Sequence, residues 1–276
     1  MRFRTPAAAP VAEDPAQDPL RRLAASERVL DSTFRPLSTP EMPRPAASAP
    51  QPELELKYLL PGSRAAFVRR WLEGVVHRER AYPPALVVTT YFDTPDLELL
   101  DEKVNSDHLK TKVRVRWYAP LDGGPPAGPV FVECKHREGA TREKRRVAAQ
   151  AQPAHLAAVP LSAPDWGELL MELRAAVPGL PTDLAPVLRL AYARHRYVDA
   201  GGARISLDSG IVVQAVNPAR LHAPARRDAL RYAVFEYKGH GQDVPAHVAP
   251  VTRLGARRSA FSKYLACYQH VTRDTF

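Results

Sequence analysis

A chain of 276 residues with 45% hydrophobic content can bury one sizeable core, and its two cysteines exclude a disulfide framework or a CxxC metal site. The formal charge of +9 favours an anionic partner, a class that includes nucleic acid, phosphate polymers and acidic membranes. No apolar run of about 18 residues occurs, and MRFRTPAAAP lacks the apolar stretch of a signal peptide, so a cytoplasmic protein without a membrane segment is expected.

In chain order, residues 1–50 are rich in Ala and Pro and poor in aromatics, which predicts a disordered tail. The folded domain is expected over residues 51–276. Its first strand carries Glu53-x-Glu55-x-Lys57 with Leu54 and Leu56 between the charges. Ser63 can cap a helix whose apolar face is Phe67, Trp71, Leu72 and Val75. A strand over 86–92 leads to Asp93-Thr94-Pro95, where Asp93 reads as a turn or cap residue, and then to a short helix near 97–100. Strands are predicted at 111–118, 130–136 and 142–148, with a Gly/Pro loop at 122–129, then an amphipathic helix at 166–177. Further strands are expected at 187–198, 203–207, 211–216 and 233–238, and a last helix at 257–271 with Phe261, Leu265 and Tyr268 on one face. Strands outnumber helices and several are joined by short turns, so an α+β fold with antiparallel pairing is expected. Cys134 and Cys267 read as packing residues, and the scattered histidines as surface residues.

The strands share one pattern. Lys112-x-Arg114-x-Arg116, Glu133-x-Lys135, Lys144-x-Arg146 and Glu236-x-Lys238 alternate charge with apolar residues, so each strand has one buried face and one charged face. Like charges side by side destabilise a sheet unless something anionic offsets them. An eight-stranded barrel closed around those charges, with helices on its apolar exterior, would make a lumen for a polyanion. Glu53, Glu55, Glu133, Asp208 and Glu236 fall on or beside the same strands. They would repel phosphate unless a divalent metal or neighbouring cations offset them, and for each Glu other than Glu236 ion pairing is as good an account as ligation.

In order along the chain stand Glu53-Leu-Glu-Leu-Lys57-Tyr58, Tyr91-Phe-Asp-Thr94, Lys112-Val-Arg114-Val-Arg116-Trp-Tyr118, Phe131-Val-Glu133-Cys-Lys135 and Lys144-Arg-Arg146. Tyr192-Ala-Arg194-His-Arg-Tyr197, Ile205-Ser-Leu-Asp208, Val234-Phe-Glu236-Tyr-Lys238 and Phe261-Ser262-Lys263-Tyr264 follow. This series, over about residues 52–272, resembles the VTC domain, the polyphosphate polymerase domain of the vacuolar transporter chaperone complex, within the triphosphate tunnel metalloenzymes. The resemblance implies a Mn²⁺- or Mg²⁺-dependent transfer of the ATP γ-phosphate to inorganic polyphosphate inside a basic tunnel. Lys57, Arg114, Arg116, Lys135, Arg194 and Lys263 would act on the reacting phosphates, and Lys144, Arg146 and Lys238 would help hold them. Glu236 would be the principal metal ligand, with Glu53, Glu55 and Glu133 supporting it and Asp208 and Ser262 behind the lining. A CYTH-type triphosphatase uses a similar tunnel, but typically has a second Glu where this chain has Lys238. A third reading is a non-catalytic polyanion binder. Thin aromatic interleaving of the basic strands argues against nucleic acid. Any membrane partner would be a separate chain, and oligomeric state is left open.

Overall fold

A computed structural model describes residues 54–105, 108–139, 141–224, 226 and 228–273; the expected tail over residues 1–50, and Glu53, lie outside the described residues. The strands are β1 (Leu54–Pro61), β2 (His77–Arg78), β3 (Ala85–Asp93), β4 (Leu109–Ala119), β5 (Val130–Glu138), β6 (Thr141–Ala149), β7 (Ala185–Val198), β8 (Arg204–Val216), β9 (Tyr232–Gly239) and β10 (Arg257–Arg258). The helices are α1 (Ala65–Val75), α2 (Glu98–Asn105), α3 (Pro153–Ala158), α4 (Asp165–Ala176) and α5 (Lys263–Thr272). Among the described residues no helix is long and apolar enough to cross a membrane.

All ten strands form one antiparallel sheet in the order β10-β1-β9-β8-β7-β3-β4-β5-β6, with β2 paired to β7. The sheet curls but does not close, which corrects the expected eight-stranded closed barrel. The two edges explain why. β10 is only two residues long, and β6 is an exposed edge strand of sequence TREKRRVAA, whose charges discourage further pairing.

Alternation sorts side chains between the two faces. On the convex face, Leu56, Tyr58 and Leu60 of β1 and Phe235 and Tyr237 of β9 pack with Val68 and Leu72 of α1. Val113, Val115 and Trp117 of β4 and Val132 and Cys134 of β5 pack with Leu156 of α3 and Trp166, Leu170 and Leu173 of α4. Cys134 and Cys267 are both buried and unbonded. At one end the concave face is filled: Tyr264, Cys267 and Val271 of α5 pack with Tyr91, Leu190, Ile211, Val213 and Val234. Helix α5 therefore sits inside the curl rather than on its outside.

Three local expectations need correction. Helix α1 starts after a 3-10 turn (Gly62–Arg64) with no side-chain cap from Ser63, and it buries Ala65, Val68, Arg69 and Leu72, leaving Phe67 59% exposed. Arg69 can lie inward because Glu73 accepts from it one turn on, at 3.2 Å. The two strands expected at 203–207 and 211–216 are one strand, β8, in which Gly210 takes φ 60° where the register with β7 slips. The last helix begins only at Lys263, because Arg257 and Arg258 pair with β1 as a strand. Its deepest residues are Tyr264, Cys267 and Val271.

Candidate functional site

Cross-strand register builds the concave charged face. β1 and β9 pair so that Glu55 stands opposite Lys238 and Lys57 opposite Glu236. Lys57 Nζ lies 2.7 Å from Glu55 Oε1, and Lys238 Nζ lies 3.0 Å from Glu236 Oε1 and 3.8 Å from Glu55 Oε2. Lys238 thus sits between two carboxylates. Burial pushes the Glu55 carboxyl up, but Lys57 and Lys238 outweigh it and hold it well below the usual range. Glu236 is also held low: burial and Glu55 raise it, and Lys238, Lys57 and Arg194 overcome them.

On the opposite wall β4, β5 and β6 form two transverse rows. Arg114, Glu133 and Arg146 stand in one, and Lys112, Lys135 and Lys144 in the next. The arginine row carries its own counterion. Glu133, with no exposed surface, accepts from Arg114 Nε at 2.7 Å and Arg146 Nε at 2.6 Å, with Lys144 Nζ at 3.3 Å and Arg116 at 3.7 Å. Its carboxyl is held low because these cations more than offset burial. The lysine row has no acid within it. Burial and neighbouring cations push both Lys112 and Lys135 down to about 7, and burial lowers Lys144 as well.

A third anchor lies on β8. Asp208, fully buried, takes both arms of Arg194 at 2.6 and 2.7 Å and Lys263 Nζ at 2.6 Å. Burial alone would raise this carboxyl, yet Arg194 and Lys263 hold it down at about 2. Lys263 reaches this point because it opens α5, whose next residue, Tyr264, stacks on Tyr91 with ring centroids 4.9 Å apart. Tyr264 also donates its hydroxyl to Asp93 Oδ2 at 2.9 Å. Asp93 in turn accepts from the amides of Thr94, Leu99 and Leu100, so it caps α2.

Together these strands enclose a cavity of about 330 Å³ lined by twelve Lys and Arg residues against three Glu. Lys57, Arg114, Arg116, Lys135, Lys144, Arg146, Arg194, Lys238, Lys263, Glu55, Glu236 and Ser262, all expected at the site, line it. Asp208 and Glu133 lie behind that lining and hold its cations. Lys112, Arg196, Arg204, Tyr118 and Tyr192 also line it and were not among the expected site residues. Lys112 and Arg196 were detectable, since each shares the alternation of Arg114 or Arg194. Arg204 was detectable as well, since it alternates with Ser206 and Asp208 on and just past the strand expected at 203–207. His195, by contrast, is buried rather than at the surface.

Among the described residues no three His, Cys, Asp or Glu side chains converge as a metal site. Glu133 therefore does not join Glu55 and Glu236, and its oxygens already face four cations. Glu55 and Glu236 do fit a hard divalent ion: they are two neighbouring carboxylates on one cavity wall, with only lysine ammonium groups to displace. Magnesium and manganese commonly take one or two carboxylates and complete their shell with substrate phosphate and water.

A family model described as VTC domain matches residues 54–272. No curated protein matches the chain. Among solved structures, the PH1819 protein of Pyrococcus horikoshii OT3 is 14% identical with a TM-score of 0.44, covering 79% of this chain and 99% of that one. The Hippeastrum protein HpAC1, described as a candidate adenylyl cyclase with a dominant triphosphatase activity, is 16% identical with a TM-score of 0.47, covering 79% and 96%. A candidate adenylate cyclase from Vibrio parahaemolyticus is 15% identical with a TM-score of 0.44, covering 79% and 98%.

Proposed function

The chain belongs to the VTC domain family over residues 54–272, and on that premise we propose that it is a polyphosphate polymerase, transferring the γ-phosphate of ATP to the end of an inorganic polyphosphate chain. The observation that carries this reading is Lys238, seated between Glu55 and Glu236. Hydrolysis asks for a base to take a proton from water. Glu55 and Glu236 are both held ionised by lysines and are weak bases for that purpose. An acceptor phosphate is already ionised and needs no base, only positioning and charge stabilisation.

The cavity supplies both. Arg194 and Lys263 are fixed by Asp208, and Arg114 and Arg146 by Glu133, so these donors need little reorganisation as charge shifts along the phosphates. Arginine grips phosphate through a planar fork, whereas Lys57, Lys135 and Lys144 act as point charges. A Mg²⁺ or Mn²⁺ ion held by Glu55 and Glu236 would neutralise charge on the phosphate oxygens. Lys238 beside it would hold an acceptor or donor phosphate against the same carboxylate wall.

Purified protein given ATP and Mn²⁺, with products resolved by chain length, tests the reading. A ladder of long polyphosphate with ADP supports it. Orthophosphate alone would make the protein a triphosphatase, and no ADP at all would leave only polyanion binding. Glu236→Gln should lower turnover by about a hundredfold or more, because it removes charge from the metal site; unchanged turnover would take Glu236 out of the chemistry.

A further inference from the structure

The unclosed sheet leaves a second opening, and that opening is built from charge. Between the free edge of β6 and the β10–β1 edge lies a groove of about 620 Å³, lined from both sides of the seam and floored by β4 and β5. Nine Lys and Arg residues line it against two Glu. One of those two, Glu143, is already paired with Arg145 at 2.6 Å, and the other, Glu55, is held by Lys57. The groove is continuous with the central cavity, because Lys57, Lys112, Lys135 and Lys144 line both. The lysine row with no acid in it is their common wall.

Geometry also offers a bound chain a lateral way out. Helix α5 fills the concave face at one end with Tyr264, Cys267 and Val271. With that end filled, an anionic chain in the cavity has, besides the opposite end, a sideways way out past Lys112 and Lys135 to Lys103 of α2 and to Arg142 and Arg258 at the seam. Resting on the polymerase reading above, we infer that this seam is a second anion subsite, which holds the stretch of inorganic polyphosphate lying outside the central cavity. The groove favours this polymer over single-stranded nucleic acid. Phe261 is the one Phe, Tyr or Trp ring among its lining residues, so successive bases would find no stacking platform. Lysines and arginines on strands about 5 Å apart suit a polymer that carries charge on every unit.

Calorimetric titration with tripolyphosphate and with long-chain polyphosphate, in chelator and at low salt, tests the inference with affinities expressed per phosphate. Wild-type protein is expected to bind the long polymer about tenfold tighter. The double variant Arg142→Glu/Arg258→Glu, whose residues lie outside the central cavity, should lose that excess and keep its affinity for tripolyphosphate. A control with the same charge change on exposed residues outside both cavities, Arg64→Glu/Arg253→Glu, should retain the excess. Equal affinities for the two ligands in the wild type, or an excess that survives in the seam variant, overturns the subsite while leaving the central site standing. Failure of the wild type to bind even tripolyphosphate, both in chelator and with Mn²⁺ added, removes both readings. A single-stranded RNA of matching charge that binds as tightly as polyphosphate, and loses affinity in the seam variant, would make the groove a nucleic-acid site and overturn the inference.

Discussion

Lys112, Lys135 and Lys144 stand opposite one another on three adjacent strands, and the cost of that placement is readable as pH dependence. Lys112 titrates near 7 in the fold against an ordinary value of 10.5. Between those two values the unfolded chain holds the proton and the folded chain does not, so stability of the ligand-free protein should rise as pH rises from 7 toward 10. Polyanion binding draws the protons back, and its affinity should fall over the same interval. Urea midpoints and titrations at pH 6.5, 8 and 9.5 check both trends; a flat affinity would mean that the lysine row does not face the ligand. Asp208 makes the opposite case. It is buried beneath Arg194 and Lys263, so Asp208→Asn should destabilise the fold by about 3 kcal/mol, because two cations lose their counterion. Urea denaturation would show it, and an unchanged midpoint would mean that solvent already serves those cations. Sequence spacing was enough to place Arg114, Arg116 and Lys135 on one charged face, since alternation decides facing. It could not say that Arg146 would meet Glu133, because register depends on the β5–β6 turn.

Helix α5 shows the same limit in an element. Its apolar residues run all round, through Tyr264, Leu265, Ala266, Cys267 and Tyr268, so the sequence leaves the phase open and Phe261, Leu265 and Tyr268 look as good a buried face as any. The Asp93 cap settles the phase by accepting the Tyr264 hydroxyl, which ties the start of α5 to the start of α2. Tyr264→Phe keeps the ring on Tyr91 and removes only that hydrogen bond, leaving a carboxylate oxygen that still accepts from Leu100. A loss of about 1 kcal/mol is expected, together with weaker phosphate binding, because Lys263 is the neighbouring residue. Stability loss with binding unchanged would show that α5 holds Lys263 without this bond. Asp93 was legible as a cap from Asp-Thr-Pro alone, whereas its partner, 171 residues away, was not.

For the whole molecule, alternating charge told which face of the sheet would line the cavity and which would carry α1, α3 and α4, though not that α5 would fill one end of the concave face. It did not tell whether the sheet would close, because closure depends on two edges meeting, and β6 and β10 each end the pairing for their own local reasons. The difference is one of topology. A polymer enters a complete ring only by offering an end, and must slide through unit by unit. A sheet with a gap between its edges can take the same polymer broadside, at any point along its length. Polyphosphate blocked at both ends by bulky groups should therefore still compete with tripolyphosphate for the central cavity, and failure to compete would mean that the seam is shut in solution. Loading of this kind would let the protein seize a chain in its middle as readily as at its terminus.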